Sequence, residues 1–600
     1  MTGKTKGNRP RKIRAGLTGA AVAVFHVAAA HANPEGGNVV AGSAAIVQQS
    51  ATRLNVLQYS DKAVIDWRSF SIGSGEHTQF IQPSSSAFIL NRVTGSQASQ
   101  IQGTLSANGR VALINPNGVL IGSSARIDVN GLLATTANIR DSDFMAGRLD
   151  FDQASPAGAT IVNQGQITIA ETGFAALVAP SVVNSGTIVA RLGKISLSGA
   201  RMFTLDFVGD GLVKIAIDGA VAEKVLGLDG AQLDALVENS GRLSADGGLI
   251  QLSAETVRDL GQAAIRNDGV IEARSVQATT GMVILDGGAA GAVAVFGSID
   301  ASGTGAGERG GTVKVLGEHV ALLDGASIDA SGDGGGGTVL VGGNFHGAGP
   351  ERNASRTTVA HGATIKADAT GKGNGGRVAI WADGATDFQG SISARGGSLG
   401  GDGGEIETSG KQHLRVGAGA SVTAGAGDGK AGTWLLDPND VNLVATGDSP
   451  DNGGSWDSGN STYTGGSTAA DDALDVGTVI TALLGTDVVI QATGDINVNA
   501  ALNAIHTSAR TLTLEAGNQI AVNNEISSSN AALTVNLTAA SVDLAANVNT
   551  NGGDLAINST GAITQTAGAL SVTGTATLAG GAAHDLTLGA AGHQQGEVTL

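Results

Sequence analysis

Carboxylates are the residues of this chain whose type is best suited to acid–base chemistry or to binding a divalent cation. Glycoside hydrolysis needs two carboxyl groups held close together, and calcium needs several oxygen ligands around one point. The aspartates that follow apolar segments instead stand singly in turns, at Asp128, Asp206, Asp218, Asp286, Asp324 and Asp329. Because aspartate is a common turn residue, we interpret them as solvated corners.

The other residue types that enzymes use are equally dispersed. The ten histidines have no spacing typical of zinc ligands, and no Gly-x-Ser-x-Gly sequence has the context of a hydrolase nucleophile. The glycine runs at 332–337 and 400–404 lack the tandem nonapeptides of calcium-binding repeats. We therefore expect no catalytic residue, no metal ligand and no cofactor, and predict that the chain is not an enzyme.

The most ordered pattern of polar residues lies at 64–139, where short apolar segments alternate with turn residues. Between two of these segments stand Asn115, Pro116, Asn117 and Gly118. Proline fixes one backbone dihedral and lacks an N–H group, and Asn-Gly accepts a left-handed conformation. The tetrapeptide therefore predicts a rigid, tight corner between two buried strands.

Composition narrows the fold class. The 600 residues include 93 glycines, 9 prolines and no cysteine, and aromatic residues make up 3%. A hydrophobic content of 42% with 15% charged residues argues against disorder. A core with so few rings must come from Val, Ile, Leu and Ala.

Short internal repeats predict a solenoid. Asn-x-Gly-x followed by Ile or Leu begins at Asn163, Asn184, Asn239 and Asn267, and Ser-Ile-Asp-Ala-Ser-Gly occurs at 298–303 and 327–332. The repeats are too short for helices, and their spacing of roughly 20 to 35 residues is typical of solenoids rather than of a β-sandwich. We therefore predict an all-β fold, a right-handed parallel β-helix. Stacked asparagines should hydrogen-bond along its axis.

The first 32 residues have the pattern of a signal peptide. Six basic residues precede an apolar run of small residues, and Ala30-His31-Ala32 fits a cleavage site before Asn33. The remaining chain carries 29 basic and 53 acidic residues, a net charge of −24. Such a charge argues against nucleic acid as a partner, because phosphate binding needs clustered Lys and Arg.

Two motifs carry a family resemblance. The corner at 115–118 and the segment Asn91, Arg92, Val93 and Thr94 match motifs in the secretion domain of the filamentous haemagglutinin family, which uses two-partner secretion. The resemblance covers about Gly36 to Ser275 and continues as weaker repeats. An Asn-Pro-Asn-Leu motif found in part of the family is absent, so the chain is more similar to the high-molecular-weight adhesin branch.

This resemblance implies an export route and a function for the protein. Members pass the Sec machinery, and an outer-membrane β-barrel with POTRA domains then recognises the unfolded secretion domain. The protein would be secreted or at the cell surface, as an adhesin for an unidentified receptor or glycan. For the motif residues we favour a role in folding over direct recognition of the transporter. A haem-utilisation exoprotein and a contact-dependent toxin stalk share this domain, and polysaccharide lyases share the β-helix, so these alternatives stay open.

We divide the chain into five parts. These are a signal peptide at 1–32, a secretion domain at 33–275, glycine-rich repeats at 276–436, a linker with a short helix at 437–486, and further repeats at 487–600 that are expected to continue beyond the chain. The non-repetitive stretch that begins at Met202 predicts a hairpin outside the coil, followed by a short helix near Gly230–Val237.

Overall fold

In the computed structural model the chain forms a parallel β-helix, and this confirms the predicted fold class. Each strand pairs with a strand one coil further along, and the coils stack into three faces. The right-handed sense of the coil stays a prediction. The structure describes residues 33–206, 214–218, 220–227, 230–257, 262–447, 455–457, 462–464, 472–581, 586–588 and 594–599. The predicted signal peptide lies outside these residues.

The strands fall into three ladders. The first face contains Lys62–Trp67, Phe88–Val93, Arg110–Ile114, Lys194–Gly199, Leu249–Ala254, Met282–Asp286, Thr312–Leu316, Thr338–Val341, Arg377–Ala382, Glu405–Gly410, Thr433–Leu436, Asp487–Ala492, Arg510–Ala516, Leu533–Ala539, Leu555–Ser559 and Gln594–Thr599. The second face contains Ser99–Ile101, Val119–Ile121, Thr160–Asn163, Ser181–Asn184, Ala235–Asn239, Ala263–Asn267, Ala292–Val295, His319–Leu322, Arg356–Val359, Ala385–Phe388, His413–Val416, Val441–Val444, Ala473–Asp475, Ile496–Val498, Gln519–Val522, Ser541–Leu544, Ile563–Gln565 and Leu586–Leu588. The third face contains Arg53–Gln58, His77–Ile81, Thr104–Ala107, Thr187–Val189, Arg242–Ser244, Val270–Glu272, Ser298–Asp300, Ser327–Asp329, Thr364–Lys366, Ser391–Ser393, Ser421–Thr423, Leu502–Ala504, Ile526–Ser528 and Val548–Asn549. Three long strands turn the corner between the third and first faces, at Arg126–Thr135, Gln166–Ala179 and Leu570–Ala579.

The core is a set of aliphatic stacks along the axis. Val283, Val313, Val339 and Val378 occupy one register position in four successive coils, and all are fully buried. Period-two alternation directs such residues inward, and burying each contributes about 1.5–3 kcal/mol. The predicted core of Val, Ile, Leu and Ala is therefore confirmed.

A buried ladder of asparagines runs beside these stacks. Asn163 Nδ2 donates to Asn184 Oδ1 at 2.7 Å, Asn184 Nδ2 donates to Asn239 Oδ1 at 2.7 Å, and Asn239 Nδ2 donates to Asn267 Oδ1 at 2.8 Å. These are the first residues of the Asn-x-Gly repeats, and each is at most 1% exposed. The predicted stacking of asparagines is confirmed, and each amide satisfies its buried neighbour.

Antiparallel strands cover the N-terminal end of the coil. Asn38–Ala41 pairs with Lys62–Trp67, and Ala44–Ser50 pairs with Arg53–Gln58. An uncovered first coil would expose unpaired backbone groups and the open end of the core. These two strands therefore cap the rod.

A second, smaller core lies outside the coil on its first face. The predicted hairpin is present, because Met202–Asp206 pairs antiparallel with Lys214–Asp218. Phe203 of this hairpin stacks on Phe151 at 4.4 Å, in the short strand Asp150–Phe151. A helix at Asp141–Ala146, which the sequence did not predict, adds Phe144 to the same cluster.

The helix predicted near Gly230–Val237 is wrong. Ala235–Asn239 is a strand that pairs in parallel with its neighbours on the second face. Val237 continues the aliphatic stack there, and Asn239 continues the asparagine ladder. Tertiary pairing therefore overrides any local helical preference.

The described residues of the range 437–486 contribute strands and one helix to the coil. Val441–Val444 and Ala473–Asp475 pair in parallel on the second face. A helix at Val476–Ala482 then packs between the third-face strands Ser421–Thr423 and Leu502–Ala504, where another coil would have a strand. Asp475 caps this helix by accepting from Thr478 N at 2.9 Å. Between these strands in the sequence, Ser455–Asp457 pairs antiparallel with Thr462–Thr464. The predicted domain boundaries stay a prediction.

Candidate functional site

The tetrapeptide at 115–118 forms a hydrogen-bonded turn between Arg110–Ile114 and Val119–Ile121. Gly118 N donates to Asn115 O at 3.0 Å, and Asn117 N donates to Asn115 Oδ1 at 2.9 Å. Gly118 has a φ of +103°, a value that L side chains rarely adopt. Pro116 suits the position because a turn needs no N–H group there. The structure thus places the four residues in a tight corner.

Asn115 fastens this corner to the neighbouring coil. Its side chain is fully buried, and Nδ2 donates to Gln97 O and to Ser99 Oγ, both at 3.0 Å. Asn117 is exposed, but its Nδ2 donates to Gly95 O at 2.9 Å. Both asparagines therefore hold one segment, residues 95–99, which we call the motif loop.

The segment Asn91–Thr94 leads directly into the motif loop. Asn91 is fully buried, accepts from Trp67 Nε1 at 3.0 Å and donates to Ala112 O at 3.2 Å. Val93 points into the core, and Thr94 Oγ1 donates to Trp67 O at 3.0 Å. These contacts link three successive coils on the first face.

Arg92 joins the coil to the helix outside it. Its Nη1 lies 3.1 Å from Asp66 Oδ1, its Nη2 lies 2.6 Å from Asp141 Oδ1, and its Nε donates to Asn138 Oδ1 at 2.9 Å. The side chain is only 14% exposed. A planar guanidinium suits three such partners, whereas a lysine ammonium is a single point charge.

The two motifs meet at the motif loop, and their polar side chains form hydrogen bonds with other residues of the same chain. Sequence reasoning missed Trp67, Ser99 and Gly95 as parts of this site. A Cβ on Gly95 would lie 2.2 Å from Arg68 O, so only glycine fits there. The rarity of tryptophan, with four in the chain, was the one available signal for Trp67. The hydrogen bonds of the two motifs thus connect neighbouring coils of the β-helix.

At the predicted cleavage position, Ala32 lies outside the described residues and Asn33 lies within them. Asn33 is 2% exposed and has a φ of +63°. Its backbone N donates to Glu76 Oε2 at 2.9 Å. The first residue of the predicted mature chain is thus docked on the coil.

Among the residues that the structure describes, no group of three or more His, Cys, Asp and Glu side chains has an arrangement suited to a metal ion. None of the helices described has the length and apolar character needed to cross a membrane. Burial raises the pKa of Glu407 and of Asp437, which lie on adjacent coils. His346 N donates to Glu407 Oε2 at 2.9 Å, and Glu407 is fully buried.

Comparison with known proteins decides the family. The TPS secretion domain family matches residues 30–301. The crystal structure of the HMW1 secretion domain from Haemophilus influenzae is 32% identical, with a TM-score of 0.55, and the match covers 68% of this chain and 100% of that domain. The chain belongs to the two-partner secretion family. It is a secreted exoprotein, exported through the outer membrane.

Two curated relatives of this two-partner secretion exoprotein share a name. A heme/hemopexin-binding protein of Haemophilus influenzae strain Rd is 36% identical over 203 residues, which are 33% of this chain and 22% of that protein. A second heme/hemopexin-binding protein of Haemophilus influenzae is 49% identical over 106 residues, 18% of this chain and 11% of that protein. The matches thus span less than a quarter of these relatives. Residues 529–600 match a family described as repeats of unknown function.

Proposed function

We propose that the N-terminal region of this exoprotein, after Sec export, is recognised by a dedicated outer-membrane β-barrel with POTRA domains. We further propose that the two motifs act in folding rather than as the surface that the barrel reads. One observation supports this: the side chains of Asn91, Arg92 and Asn115 are turned into the fold and bonded to it. In the folded chain these polar groups are satisfied internally, so folding accounts for the two motifs without any contact to the barrel.

Folding of the first coils suits the export route. Contacts in a solenoid are local, so each coil templates the next. The motif loop is held by Asn115 and Asn117 from the coil that follows it, so it becomes ordered when that coil adds. Sequential burial outside the cell would then bias outward movement of the chain.

A secretion assay with the cognate barrel tests this proposal. Asn115→Ala should leave most of the chain in the periplasm, whereas Asp329→Ala, in a downstream third-face strand, should be exported like wild type. Fractions from medium, surface and periplasm are compared by immunoblot. Normal export of Asn115→Ala together with retention of Asp329→Ala would contradict the assignment.

Outside the cell, we propose that the protein acts as an adhesin for a surface receptor or glycan. A stack of short strands with solvated corners offers a long surface in a chain with few candidate catalytic groups. The names of the curated relatives favour haem or hemopexin binding as a second candidate. Most of each relative lies outside the match, so its named activity need not reside in the shared part.

Binding measurements separate these two functions. The secreted chain is tested for retention on immobilised haemin and hemopexin, and for adherence of bacteria that carry it to cultured cells. Adherence without haemin or hemopexin retention supports the adhesin proposal. Retention on either ligand without adherence supports haem utilisation and overturns the adhesin proposal.

Among the described residues, Glu407 and Asp437 are two neighbouring carboxyl groups whose pKa values are raised by burial, and we weigh them as an enzyme site. A substrate must reach the acid directly, but Glu407 is fully buried beneath the 3₁₀ turn Phe345–Gly347. That turn is itself fixed to the coil, because Phe345 packs against Leu340 and Ala379. We therefore propose that these carboxyl groups are structural and that the chain is not a polysaccharide lyase or hydrolase.

A further inference from the structure

A recess at the N-terminal end of the rod holds Asn33. Its backbone N donates to Glu76 Oε2 at 2.9 Å, and Thr78 Oγ1 donates to Asn33 Oδ1 at 3.1 Å. Asn33 is 2% exposed, and Pro34 beside it is also buried. This is the residue that follows Ala30-His31-Ala32 in the sequence. The chain is therefore tied to the coil at the very position where the leader is predicted to be removed.

The carboxylate of Glu76 is held in an orientation suited to binding a cation. Gly73 N donates to Glu76 Oε2 at 2.8 Å, which orients the group. A Cβ on Gly73 would lie 2.8 Å from the same oxygen, so the absence of a side chain makes room for it. The ion pairs formed by the described lysines, arginines and histidines do not include Glu76. The nearest donors are thus backbone N–H groups, one of which belongs to Asn33.

The backbone of Asn33 gives an independent indication. Its φ of +63° is left-handed, which strains an L residue even though asparagine tolerates it better than most. A φ angle exists only while residue 32 is attached. Cutting the preceding peptide bond removes this restraint and turns a neutral N–H donor into an ammonium group with three N–H bonds. Both changes favour the docked state of the cut chain.

We propose that Glu76 is the receptor for the α-ammonium group of the processed chain, whose first residue is Asn33. In net terms signal peptidase adds one water molecule across the Ala32–Asn33 bond: the hydroxyl group ends on the Ala32 carbonyl carbon and a hydrogen on the Asn33 nitrogen. The proton lost by the new Ala32 carboxyl group then converts the amine into an ammonium. The new ammonium then pairs with Glu76 across the existing 2.9 Å contact. Removal of the leader is thereby linked to docking of the first residue of the mature chain on the coil. This inference does not depend on how the transporter recognises the chain.

The test compares the chain that starts at Asn33 with one that carries a single extra glycine before it. Both are released from a cleavable tag, refolded as full-length mature chains and checked for strand-dominated circular dichroism. The reactivity of the α-amine toward an acylating reagent is measured by mass spectrometry between pH 6 and 9. An unperturbed α-amine has a pKa of about 7.7–8.0. Pairing should raise that pKa by about one unit and slow labelling at pH 7 about tenfold.

Two substitutions test whether Glu76 causes the slower labelling of the α-amine. Glu76→Gln should restore ordinary labelling of the Asn33 chain and leave the glycine-extended chain unchanged. Glu35→Gln, which removes the partner of the exposed Arg68, is the matched control and should change neither. If Glu76→Gln does not fold, the comparison of the two chains with Glu76 intact still decides. Equal labelling of those chains, or a secreted protein whose N-terminal sequence starts elsewhere than Asn33, overturns the proposal.

Discussion

At the scale of single residues, the partners of a side chain distinguish two asparagines that look alike in the sequence. Asn115 is fully buried and donates to the motif loop through two hydrogen bonds. Asn117 is exposed and donates to that loop through one. Losing a buried partner leaves unsatisfied polar groups, which costs more than losing an exposed one. The two positions should therefore differ in their effect on stability.

Asn115→Ala should lower the free energy of unfolding of the first coils by about 1–3 kcal/mol, because Ser99 Oγ and Gln97 O lose a buried donor. Asn117→Ala should cost less than half as much. Hydrogen exchange of the amides in Val119–Ile121 measures both. An equal or larger loss in Asn117→Ala would contradict this ranking.

Arg92→Lys should loosen the helix Asp141–Ala146 while leaving the coil intact. The guanidinium contacts Asp66, Asn138 and Asp141 at once, which one ammonium cannot reproduce. We expect about tenfold faster amide exchange in that helix. Arg68→Lys is the control, since Arg68 is 73% exposed and its ion pair among the described residues is with Glu35. A surface pair of that kind contributes little to stability. Equal exchange in both variants would contradict the role of Arg92.

The residues of this site were only partly predictable. The motif spacing gave the corner and its glycine, because turn chemistry is local. It did not give Trp67, Gly95 or Ser99, since these lie 16 or more positions from the residues they serve and their contacts arise only when coils stack. Docking of Asn33 on Glu76 was hidden for the same reason.

At the scale of elements, the asparagine ladder tests how coils are joined. Asn184 accepts from Asn163 and donates to Asn239, so Asn184→Ala leaves two buried groups unpaired. We expect a loss of about 2–4 kcal/mol in local stability at the Ser181–Asn184 strand. Asn497→Ala, which breaks a half-buried asparagine pair at 3.2 Å, should cost well under half of that. Amide exchange at the two sites compares them, and equal costs would argue against the ladder as a stabilising feature.

Glu407 makes the coil beneath the 3₁₀ turn sensitive to pH. Burial raises the pKa of its carboxyl group above the unfolded value, so the folded state binds the proton more tightly. Its stabilising contribution is therefore present below the unfolded pKa of about 4.5 and is lost as pH rises through the raised value. Glu407→Gln keeps the shape of the side chain without its charge.

We expect Glu407→Gln to unfold at the same temperature as wild type near pH 4 and at a higher temperature at pH 8, because it removes the buried charge. Thermal unfolding followed by circular dichroism measures the difference. Glu405→Gln, two residues along the same strand and paired at the surface with Arg377, should show no such dependence on pH. A lower unfolding temperature of Glu407→Gln at pH 8 would contradict the sign.

Elements inside the repeat were predictable, and elements outside it were less so. The strand–corner pattern gave the β-helix, because one period repeats the same inward positions in every coil. The hairpin at Met202 was also predicted from its sequence, whereas the helix Asp141–Ala146 was missed. That helix has six residues and buries only Phe144. One buried position is too few to show the periodicity of an amphipathic helix. Near Val237, local signals pointed to a helix, and pairing with the adjacent coils decided for a strand.

At the scale of the whole molecule, one architecture serves export and exposure. A solenoid has no long-range contacts that must wait for the end of the chain, so it can fold as it emerges. The mature chain should therefore scatter as an elongated rod with strand-dominated circular dichroism. A compact particle rich in helix would contradict the fold.

We propose that the two motifs promote export by stabilising the first coils. Two quantities are measured for each variant: the fraction that is secreted when the variant is co-expressed with the cognate barrel, and the refolding rate of the purified chain. The variants are Asn91→Ala, Arg92→Lys, Asn115→Ala, Asn117→Ala and Gly118→Val. We predict one correlated series, with Asn115→Ala and Gly118→Val lowest in both quantities and Asn117→Ala near wild type. A variant that refolds like wild type yet stays in the periplasm would contradict the claim and show that the barrel reads the motif itself.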